Sequence, residues 1–310
     1  MDAIQIYRSL VNIPPTAKGA VVAIGNFDGV HRGHQALLKQ AGDIANDRGT
    51  RLAVLTFEPH PKELFRPDEP PSRITPAALK EERLAAEGVD IVFSLPFNWD
   101  FASMSAEDFV KKILQDALGA AHVVVGFDFH FGQLRKGTPQ TIKDAGIPVA
   151  VTEEVVASGG EEISSSRIRQ HLRRGEIEQA RQLLGWGWEL SGEVIRGDQR
   201  GRELGYPTAN MNLENIVHPA YGVYAARVQI EGETVWRQAA VNIGIRPMFE
   251  IKIAQVETHI FDFNKEIYGK TLRIKPIRRL RSEARFATLD ELIAQMGKDC
   301  DLARDILSTE

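Results

Sequence analysis

This 310-residue sequence has a single cysteine, a net charge close to neutral and no long apolar run. Because Cys300 is the only cysteine, no disulfide can form within the chain, which fits a reducing compartment. No apolar stretch reaches the length that a bilayer-spanning helix needs, and the N-terminus lacks the pattern of a signal peptide. We therefore expect a cytoplasmic protein that does not bind membranes.

The net charge and two missing motifs exclude further classes. A net charge of −4 gives no general attraction for nucleic acid, so we expect no nucleic-acid partner. The Gly-x-Gly-x-x-Gly fingerprint of dinucleotide-binding folds does not follow the first strand pattern, and the Walker motif Gly-x-x-x-x-Gly-Lys-Ser/Thr does not occur. Any phosphate chemistry must therefore use another arrangement.

The first half of the chain alternates between short apolar runs and helical patterns. This alternation predicts an α/β fold, with a parallel sheet covered by helices on both faces. The clearest helix is predicted from Ser105 to Leu118, with Ser105 as its N-cap and Gly119 just beyond its end. Another is predicted from Arg167 to Leu184, ended by Gly185. The predicted strands are Ala20–Ile24, Leu52–Phe57, Ile91–Leu95, His122–Val125 and Ile147–Val151.

The second half changes to a period of two from about Trp188. Alternation with frequent turn residues predicts a small antiparallel barrel or sandwich, so the chain is expected to have two domains. A final amphipathic helix is predicted from Thr288 to Leu307. The predicted strands are Gly222–Ile230, Val235–Asn242, Val256–Phe261 and Thr271–Ile277. The predicted apolar stripe of the helix is Leu289, Leu292, Ile293, Met296 and Leu302.

The segment Gly25–His34 lies between the first predicted strand and a helical pattern. Glycines let a backbone approach a ligand closely, and a helix N-terminus attracts anions through its N–H groups and its dipole. His31 and His34 are three residues apart, so they lie on one side of the first turn. An isolated pair of this kind is more often a capping or surface feature, but the strand, the glycines and Asp28 favour a nucleotide-phosphate site. The predicted lining is Gly25, Phe27, Asp28, Gly29 and Gly33.

Three other polar segments follow predicted strands or open a helix. His60 lies in a turn fixed by two prolines, where it either faces solvent or contacts a ligand. Gly126–Gly132 holds Asp128 and Phe129 among three aromatics, which either belong to the core or stack on a planar ligand. Ile163–Arg169 opens a helix with serines that suit both N-capping and polyphosphate binding. The candidate phosphate ligands there are Ser164, Ser165, Ser166 and Arg169.

The second half carries its own polar constellation. Three glycines recur every four residues in a basic stretch, as expected of a loop that wraps an anion. Thr208 and Asn210 offer oxygen atoms of the kind that bind Mg²⁺. Glu257 in a strand is most simply a solvated side chain, but a carboxylate near a metal and a phosphate donor could also accept a proton from an alcohol. The three glycines are Gly197, Gly201 and Gly205.

In this order, the motifs resemble those of the bacterial bifunctional riboflavin kinase/FMN adenylyltransferases, also called FAD synthetases, along nearly the whole chain. The resemblance implies a Rossmann-like nucleotidylyltransferase domain over residues 1–185 and a riboflavin kinase barrel over residues 186–310. Riboflavin and ATP would give FMN and ADP in the second domain. FMN and ATP would give FAD and pyrophosphate in the first, with Mg²⁺ as the cofactor. The alternatives are a single-activity enzyme whose other domain is regulatory, and a flavin- or RNA-binding regulatory module.

The same resemblance implies a role for each candidate residue. Glu257 would deprotonate the ribityl hydroxyl of riboflavin, while Thr208 and Asn210 hold Mg²⁺. His31 and His34 would stabilise charge on the phosphates during adenylyl transfer. Ser165, Ser166 and Arg169 would hold the leaving pyrophosphate. The candidate flavin contacts are His60, Asp128, Phe129 and Arg281.

Two segments depart from the family pattern. Met248 follows Arg246 and Pro247 where the family commonly has threonine, and Gly185–Trp188 replaces the more usual Gly-Arg-Pro-Tyr. Neither change affects a residue with an implied chemical role, so each concerns flavin contacts or domain packing. We expect a monomer or a weak oligomer.

Overall fold

The computed structural model describes residues 3–157, 159–197, 201, 204–213, 215–245 and 254–309. They form two compact units. One runs up to Glu69 and from Ala77 to Ser164, and the other joins Pro70–Pro76 to the chain from Ser165 onward. The predicted boundary at residues 185 and 186 divides the chain by activity and stays a prediction. No helix within the described ranges is long and apolar enough to cross a membrane.

The first unit is built on a parallel sheet of six strands. They are β1 (Gln5–Tyr7), β2 (Val21–Ile24), β3 (Leu52–Glu58), β4 (Ile91–Pro96), β5 (His122–Gly126) and β6 (Val149–Thr152). Their order in the sheet is β1–β4–β3–β2–β5–β6. In β2, Val22 and Ile24 enter the core on one face, while Val21 and Ala23 enter the core on the other. Both faces are therefore covered, which confirms the predicted α/β sheet.

Six α-helices accompany this sheet among the described residues. They are α1 (Arg32–Asp47), α2 (Pro61–Phe65), α3 (Ala77–Ala86), α4 (Trp99–Ala102), α5 (Ala106–Asp108) and α6 (Pro139–Asp144). Short 3₁₀ turns lie at Pro15–Ala17 and Gln133–Arg135. The edge strand β1 is missing from the sequence prediction, because its three residues are exposed or half-buried and so form no apolar run.

The helix predicted from Ser105 is confirmed, but most of it is wound more widely than expected. α5 runs directly into Phe109–Ala117, which is a π-helix. Ser105 Oγ accepts a hydrogen bond from the Asp108 N–H at 3.0 Å, as predicted for the N-cap. The wider winding places a broad apolar face in the core. Its buried residues are Phe109, Val110, Ile113 and Leu114.

The single helix predicted from Arg167 to Leu184 is instead two helices in the second unit. They are α7 (Ser165–Arg174) and α8 (Ile177–Leu184). Gly175 separates them with a φ of +76°, a left-handed conformation that glycine adopts without steric cost. Gly185 ends α8 in the same conformation, as predicted.

Six antiparallel strands form the barrel of the second unit, as far as the structure describes the chain. They are β7 (Leu190–Glu193), β8 (Ala209–Asn212), β9 (Gly222–Ile230), β10 (Arg237–Ile245), β11 (Ala254–Ile260) and β12 (Thr271–Ser282). Their order is β7–β12–β9–β10–β11–β8. A single antiparallel bridge between Ile195, just after β7, and Asn210 in β8 joins the two ends of the sheet. The Ile195 N–H donates to the Asn210 carbonyl at 2.8 Å. This nearly closed barrel confirms the predicted antiparallel fold.

The final helix α9 (Leu289–Ser308) is confirmed, but its predicted apolar stripe is only partly buried, with Leu292, Ile293 and Met296 half-buried. Thr288 caps it by accepting from the Glu291 N–H. Leu289 and Leu302 are exposed, and the buried apolar residues lie in the second half of the helix. They are Cys300, Ala303 and Leu307, which pack with Ala225 of β9 and Ala240 of β10.

The segment Pro70–Pro76 is an unexpected part of the second unit. Trp188 is fully buried there, and its indole N–H donates to the carbonyl of Ile74 at 2.9 Å. Arg73 forms a parallel bridge with Ile216. The unusual tryptophan at position 188 therefore packs inside the second unit and anchors a segment from far earlier in the chain.

Candidate functional sites

The loop between β2 and α1 holds the histidine pair of the first unit. His31 is the N-cap of α1, and its Nδ1 accepts the His34 N–H at 3.3 Å. An Nδ1 that accepts a hydrogen bond leaves the ring proton on Nε2, so His31 is a donor at that nitrogen. Phe27 and Val30 are buried with φ values of +51° and +38°. Such left-handed conformations are costly for residues with large side chains and concentrate at functional sites.

The two histidine rings are stacked, with centroids 3.6 Å apart and planes 18° from parallel. Burial lowers the pKa of His34 well below its ordinary value, and the nearby His31 and Lys80 lower it further. His34 is consequently neutral near pH 7. Its Nδ1 is buried without a hydrogen-bond partner in the part of the chain that the structure describes. A neutral imidazole can donate one N–H to a phosphate oxygen.

Gly33 brings a second segment to the start of α1. A Cβ at this position would lie 3.2 Å from the His31 ring and 3.5 Å from the carbonyl oxygen of Ile163. A side chain here would crowd the His31 ring, while the backbone of Ile163 lies within ordinary contact distance of the same position, with Ser164 next along the chain. The other predicted lining residues, Gly25, Phe27, Asp28 and Gly29, all lie in the same loop, and Asp28 is buried.

The remaining predicted pyrophosphate ligands belong to the second unit. Ser165 and Ser166 form the first turn of α7. Arg169 is buried in that helix, and its Nε donates to the Ser72 carbonyl at 2.5 Å. Their participation with His31 and His34 in one site stays a prediction.

An aromatic surface follows the ends of β3 and β4. His60 caps α2, where its Nδ1 accepts the Lys62 N–H at 3.1 Å, and its side chain is half-buried, so its contact with the flavin stays a prediction. Phe65 and Trp99 are 53% and 63% exposed and make an edge contact at 5.7 Å between ring centroids. Phe97 makes an edge contact with Phe65 on the side nearer the core. Sequence reasoning missed this surface because its rings come from separate turns and helices, with no local motif.

The loop after β5 divides its three aromatics between surface and core. Phe127 and Asp128 are exposed, and Phe129 is half-buried. Phe131 is buried and packs on Phe109, with ring centroids 5.0 Å apart. Of the three rings considered for stacking on a planar ligand, Phe131 is therefore part of the core.

In the barrel, the strand register brings the predicted kinase residues together. Glu257 of β11 lies directly opposite Asn210 of β8. Opposite residues in an antiparallel pair present their side chains on the same face, with Cβ atoms about 5 Å apart. Thr208 precedes Asn210 by two residues, and Asn210 Nδ2 donates to the Thr208 carbonyl at 3.3 Å. Asn210 and Glu257 are almost fifty residues apart in the chain, so their pairing could not be predicted from the sequence.

Two of the three spaced glycines allow close packing, Gly197 against Asn210 and Gly201 against Tyr206. A Cβ on Gly197 would lie 2.6 Å from Asn210 Cγ, and one on Gly201 would lie 2.4 Å from the Tyr206 carbonyl oxygen. Gly205 has a φ of +83°. Gly197, the first glycine of the loop predicted to wrap an anion, thus approaches Asn210 directly. Met248 lies outside the described residues.

A cavity opens beside Thr208. It holds about 150 Å³, which is enough for one aromatic ring. Its wall combines hydroxyl groups, aliphatic side chains, the charged residues Lys265 and Glu266, and Tyr268, whose ring is covered by the Arg196 guanidinium at 5.2 Å. Residues that line it include Thr208, Thr258, Ile260, Phe263, Ile267 and Tyr268.

Arg281, a predicted flavin contact, is held by Asp299 of α9. Its Nη2 donates to Asp299 Oδ2 at 2.7 Å, and its Nε lies 3.0 Å from both carboxylate oxygens. Gln295 also donates to Asp299 at 2.9 Å. Asp299 is buried, so this ion pair fixes the guanidinium against the last helix.

The oxygen donors of the barrel suit a hard cation. No group of three or more His, Cys, Asp or Glu side chains able to hold a metal occurs among the described residues. Mg²⁺ is usually bound by only one or two protein oxygens together with substrate phosphates. The hydroxyl of Thr208 and the side-chain carbonyl of Asn210, the residue opposite Glu257, are oxygen donors of that kind.

Comparison with known proteins covers both halves of the chain. Residues 13–167 match the FAD synthetase family and residues 184–307 match the riboflavin kinase family. A bifunctional riboflavin kinase/FMN adenylyltransferase from Pseudomonas fluorescens is 39% identical, over 97% of each chain. One from Bacillus subtilis is also 39% identical, over 90% of each. A solved structure described as a macrolide-efflux protein from Streptococcus pneumoniae is 34% identical, with a TM-score of 0.86 over 96% of this chain and 98% of that one.

Proposed function

The chain belongs to the bifunctional riboflavin kinase/FMN adenylyltransferase family, and from that premise we propose how its residues carry out the two reactions. The presence of both family domains in one chain is the observation that carries the function. The chain phosphorylates riboflavin to FMN and transfers an adenylyl group to FMN to make FAD. ATP is a substrate of both reactions. The presence of both domains favours this pair of activities over a single-activity enzyme and over a regulatory module.

For the kinase, we assign the base to Glu257 and the metal ligands to Thr208 and Asn210. The carboxylate accepts the proton of the ribityl hydroxyl as its oxygen attacks the γ-phosphorus of ATP. Mg²⁺, when bound, neutralises phosphate charge, and the cross-strand register keeps its ligands next to the base. Phosphoryl transfer depends mainly on such positioning and charge stabilisation.

Around this centre we propose separate binding sites for the phosphates and for the base of ATP. The backbone of the glycine loop lies along the phosphates, since close approach to Asn210 is possible there. The cavity beside Thr208 accepts part of the adenine base, because its volume suits one aromatic ring. Because Asp299 already holds Arg281, we propose that this arginine supports the flavin site rather than supplying most of its binding energy.

For adenylyl transfer, the FMN phosphate attacks the α-phosphorus of ATP and pyrophosphate leaves. His31 and neutral His34 donate N–H groups to phosphate oxygens, which stabilises charge in the transition state. The loop that contains Gly25, Asp28 and Gly29 cradles the phosphates at the start of α1. We propose that Ser164, Ser165, Ser166 and Arg169 receive the pyrophosphate.

The flavin of this reaction is proposed to lie on the surface around Phe65 and Trp99. Exposed aromatic rings at the carboxyl end of a parallel sheet provide stacking area where ligands of such folds bind. His60 begins the short helix that ends at Phe65, and Asp128 and Phe129 follow β5 at the same edge of the sheet. We further propose a cytoplasmic monomer or weak oligomer without nucleic-acid or membrane partners.

The test separates the two reactions by mutation. Glu257→Gln keeps the shape of the side chain and should reduce FMN formation by about 10²- to 10⁴-fold, the usual contribution of a general base. Glu233→Gln, which breaks a pair with Arg237 on the same barrel, is the matched control and should leave it unchanged. His31→Ala with His34→Ala should reduce only FAD formation, by at least about 10²-fold. If either set lowers both reactions equally in folded protein, the assignment of the sites is wrong.

A further inference from the structure

Lys80 is a buried cation with no role in the chemistry assigned above. It lies in α3 and is only 5% exposed. Its Nζ lies 3.2 Å from Glu58 Oε2, 3.4 Å from the Phe57 carbonyl and 3.4 Å from Thr56 Oγ1. Burying a charged group is expensive unless it is paired, and here three oxygens of one strand end surround the ammonium. The arrangement therefore fixes the end of β3 against α3.

The same cluster reaches the end of the neighbouring strand. Thr56 is fully buried, and its hydroxyl donates to the Asn26 carbonyl at 3.0 Å. Asn26 opens the loop that leads to His31, whereas Glu58 leads to His60 and α2. One ammonium and one hydroxyl thus connect the segment assigned to the ATP phosphates with the segment assigned to the flavin.

We propose that Lys80 is a positioning residue for adenylyl transfer. It holds the segments that follow β2 and β3 at the distance from each other that places the FMN phosphate in line with ATP. This inference rests on the proposed function of the first unit. In-line attack requires the reacting atoms in near-contact geometry, and a displacement of about 1 Å can reduce the rate about 10²-fold. A buried ion pair at the junction of the two loops is suited to prevent such a displacement.

Electrostatics give Lys80 a second effect on the same site. The titratable groups that act on His34 are His31, at the start of its own helix, and Lys80, from α3. Both disfavour a charged His34, and burial acts in the same direction. Removing the ammonium should therefore raise the pKa of His34, an effect that a purely structural residue would not have.

The test compares Lys80→Met with Arg8→Met in the full chain. Arg8 makes a bidentate ion pair with Glu81, the next residue of α3, so its loss removes an ion pair from the same helix but leaves the contacts of Lys80 with Thr56, Phe57 and Glu58 in place. In Lys80→Met, we expect kcat for FAD formation to fall about 10²-fold, with little change in KM, while FMN formation is unchanged. We also expect the NMR titration of the His34 ring to move to higher pH. Arg8→Met should change neither kcat nor that titration.

A milder pair of variants covers the case in which Lys80→Met does not fold. Thr56→Val removes the hydroxyl that connects Lys80 to Asn26 and should lower kcat for FAD formation. Thr50→Val, which removes a hydroxyl bond to the Gly19 carbonyl just before β2, should not. Wild-type kcat and an unmoved His34 titration in Lys80→Met, or equal losses in the two threonine variants, would overturn the proposal. Absence of FAD formation in the wild-type chain would instead refute the proposed function.

Discussion

A methyl group on Gly197 offers a sharp test of the kinase site. In Gly197→Ala, the new Cβ would lie 2.6 Å from Asn210 Cγ and 2.7 Å from both Oδ1 and Nδ2. Ordinary van der Waals contact begins near 3.4 Å, so the amide must move by about 1 Å. The displaced group is the proposed magnesium ligand opposite Glu257. A misplacement of this size costs about 10²-fold in rate, and we expect kcat for FMN formation to fall by that factor.

The assay measures riboflavin phosphorylation at saturating ATP. Conversion of FMN to FAD, measured on the same protein sample, shows that the variant is folded. Gly192→Ala is the matched variant, because its Cβ meets the flexible end of Met211 at 3.2 Å and should leave kcat unchanged. The cause can be isolated in an Asn210→Ala background, where the methyl group has no amide to displace. There Gly197→Ala should produce no additional loss. Wild-type kcat in the single variant, or the same loss in both backgrounds, would refute the reasoning.

Three further predictions address other parts of the account. Thr208→Val should raise the Mg²⁺ concentration for half-maximal FMN formation about tenfold, the equivalent of losing one oxygen contact, and an unchanged magnesium titration would exclude this ligand. Phe65→Ala should raise KM for FMN in FAD formation about tenfold without changing riboflavin phosphorylation, and an unchanged KM would place the flavin elsewhere. Because the pKa of His34 is depressed in the folded protein, only the unfolded chain binds a proton at this residue just below pH 6.5, and the free energy of unfolding should fall with acidification by up to about 1.4 kcal/mol per pH unit. His34→Gln should flatten that slope. An identical slope in wild type and variant would contradict the assignment.

The fold was predictable from sequence where the local pattern and the tertiary environment agree. Continuous apolar runs such as Leu52–Phe57 belong to strands covered on both faces, and alternation in Gly222–Ile230 belongs to a barrel wall. The helix break at Gly175 was not predicted, because glycine inside a helical pattern is compatible with either outcome. The stripe on α9 was only partly correct, because the most deeply buried face of the helix lies nearer its end and includes the small residues Cys300 and Ala303 beside Leu307.

Candidate residues within compact motifs were easier to find than residues that act across the fold. His31 and His34 are adjacent on one helical turn, and their spacing predicts that adjacency. The pairing of Glu257 with Asn210 follows from strand register, which the sequence does not reveal. Phe65 and Trp99 meet from separate helices, and Lys80 reaches the end of β3 from a third helix, so no spacing rule could identify them.

One time course tests the central claim that this chain carries out both steps. Purified protein is incubated with riboflavin, ATP and Mg²⁺, and riboflavin, FMN and FAD are separated by chromatography. We predict that FMN appears first and that FAD follows as FMN is consumed. Accumulation of FMN without FAD, in a sample that also fails to convert added FMN, would contradict the assignment of adenylyl transfer to the first unit.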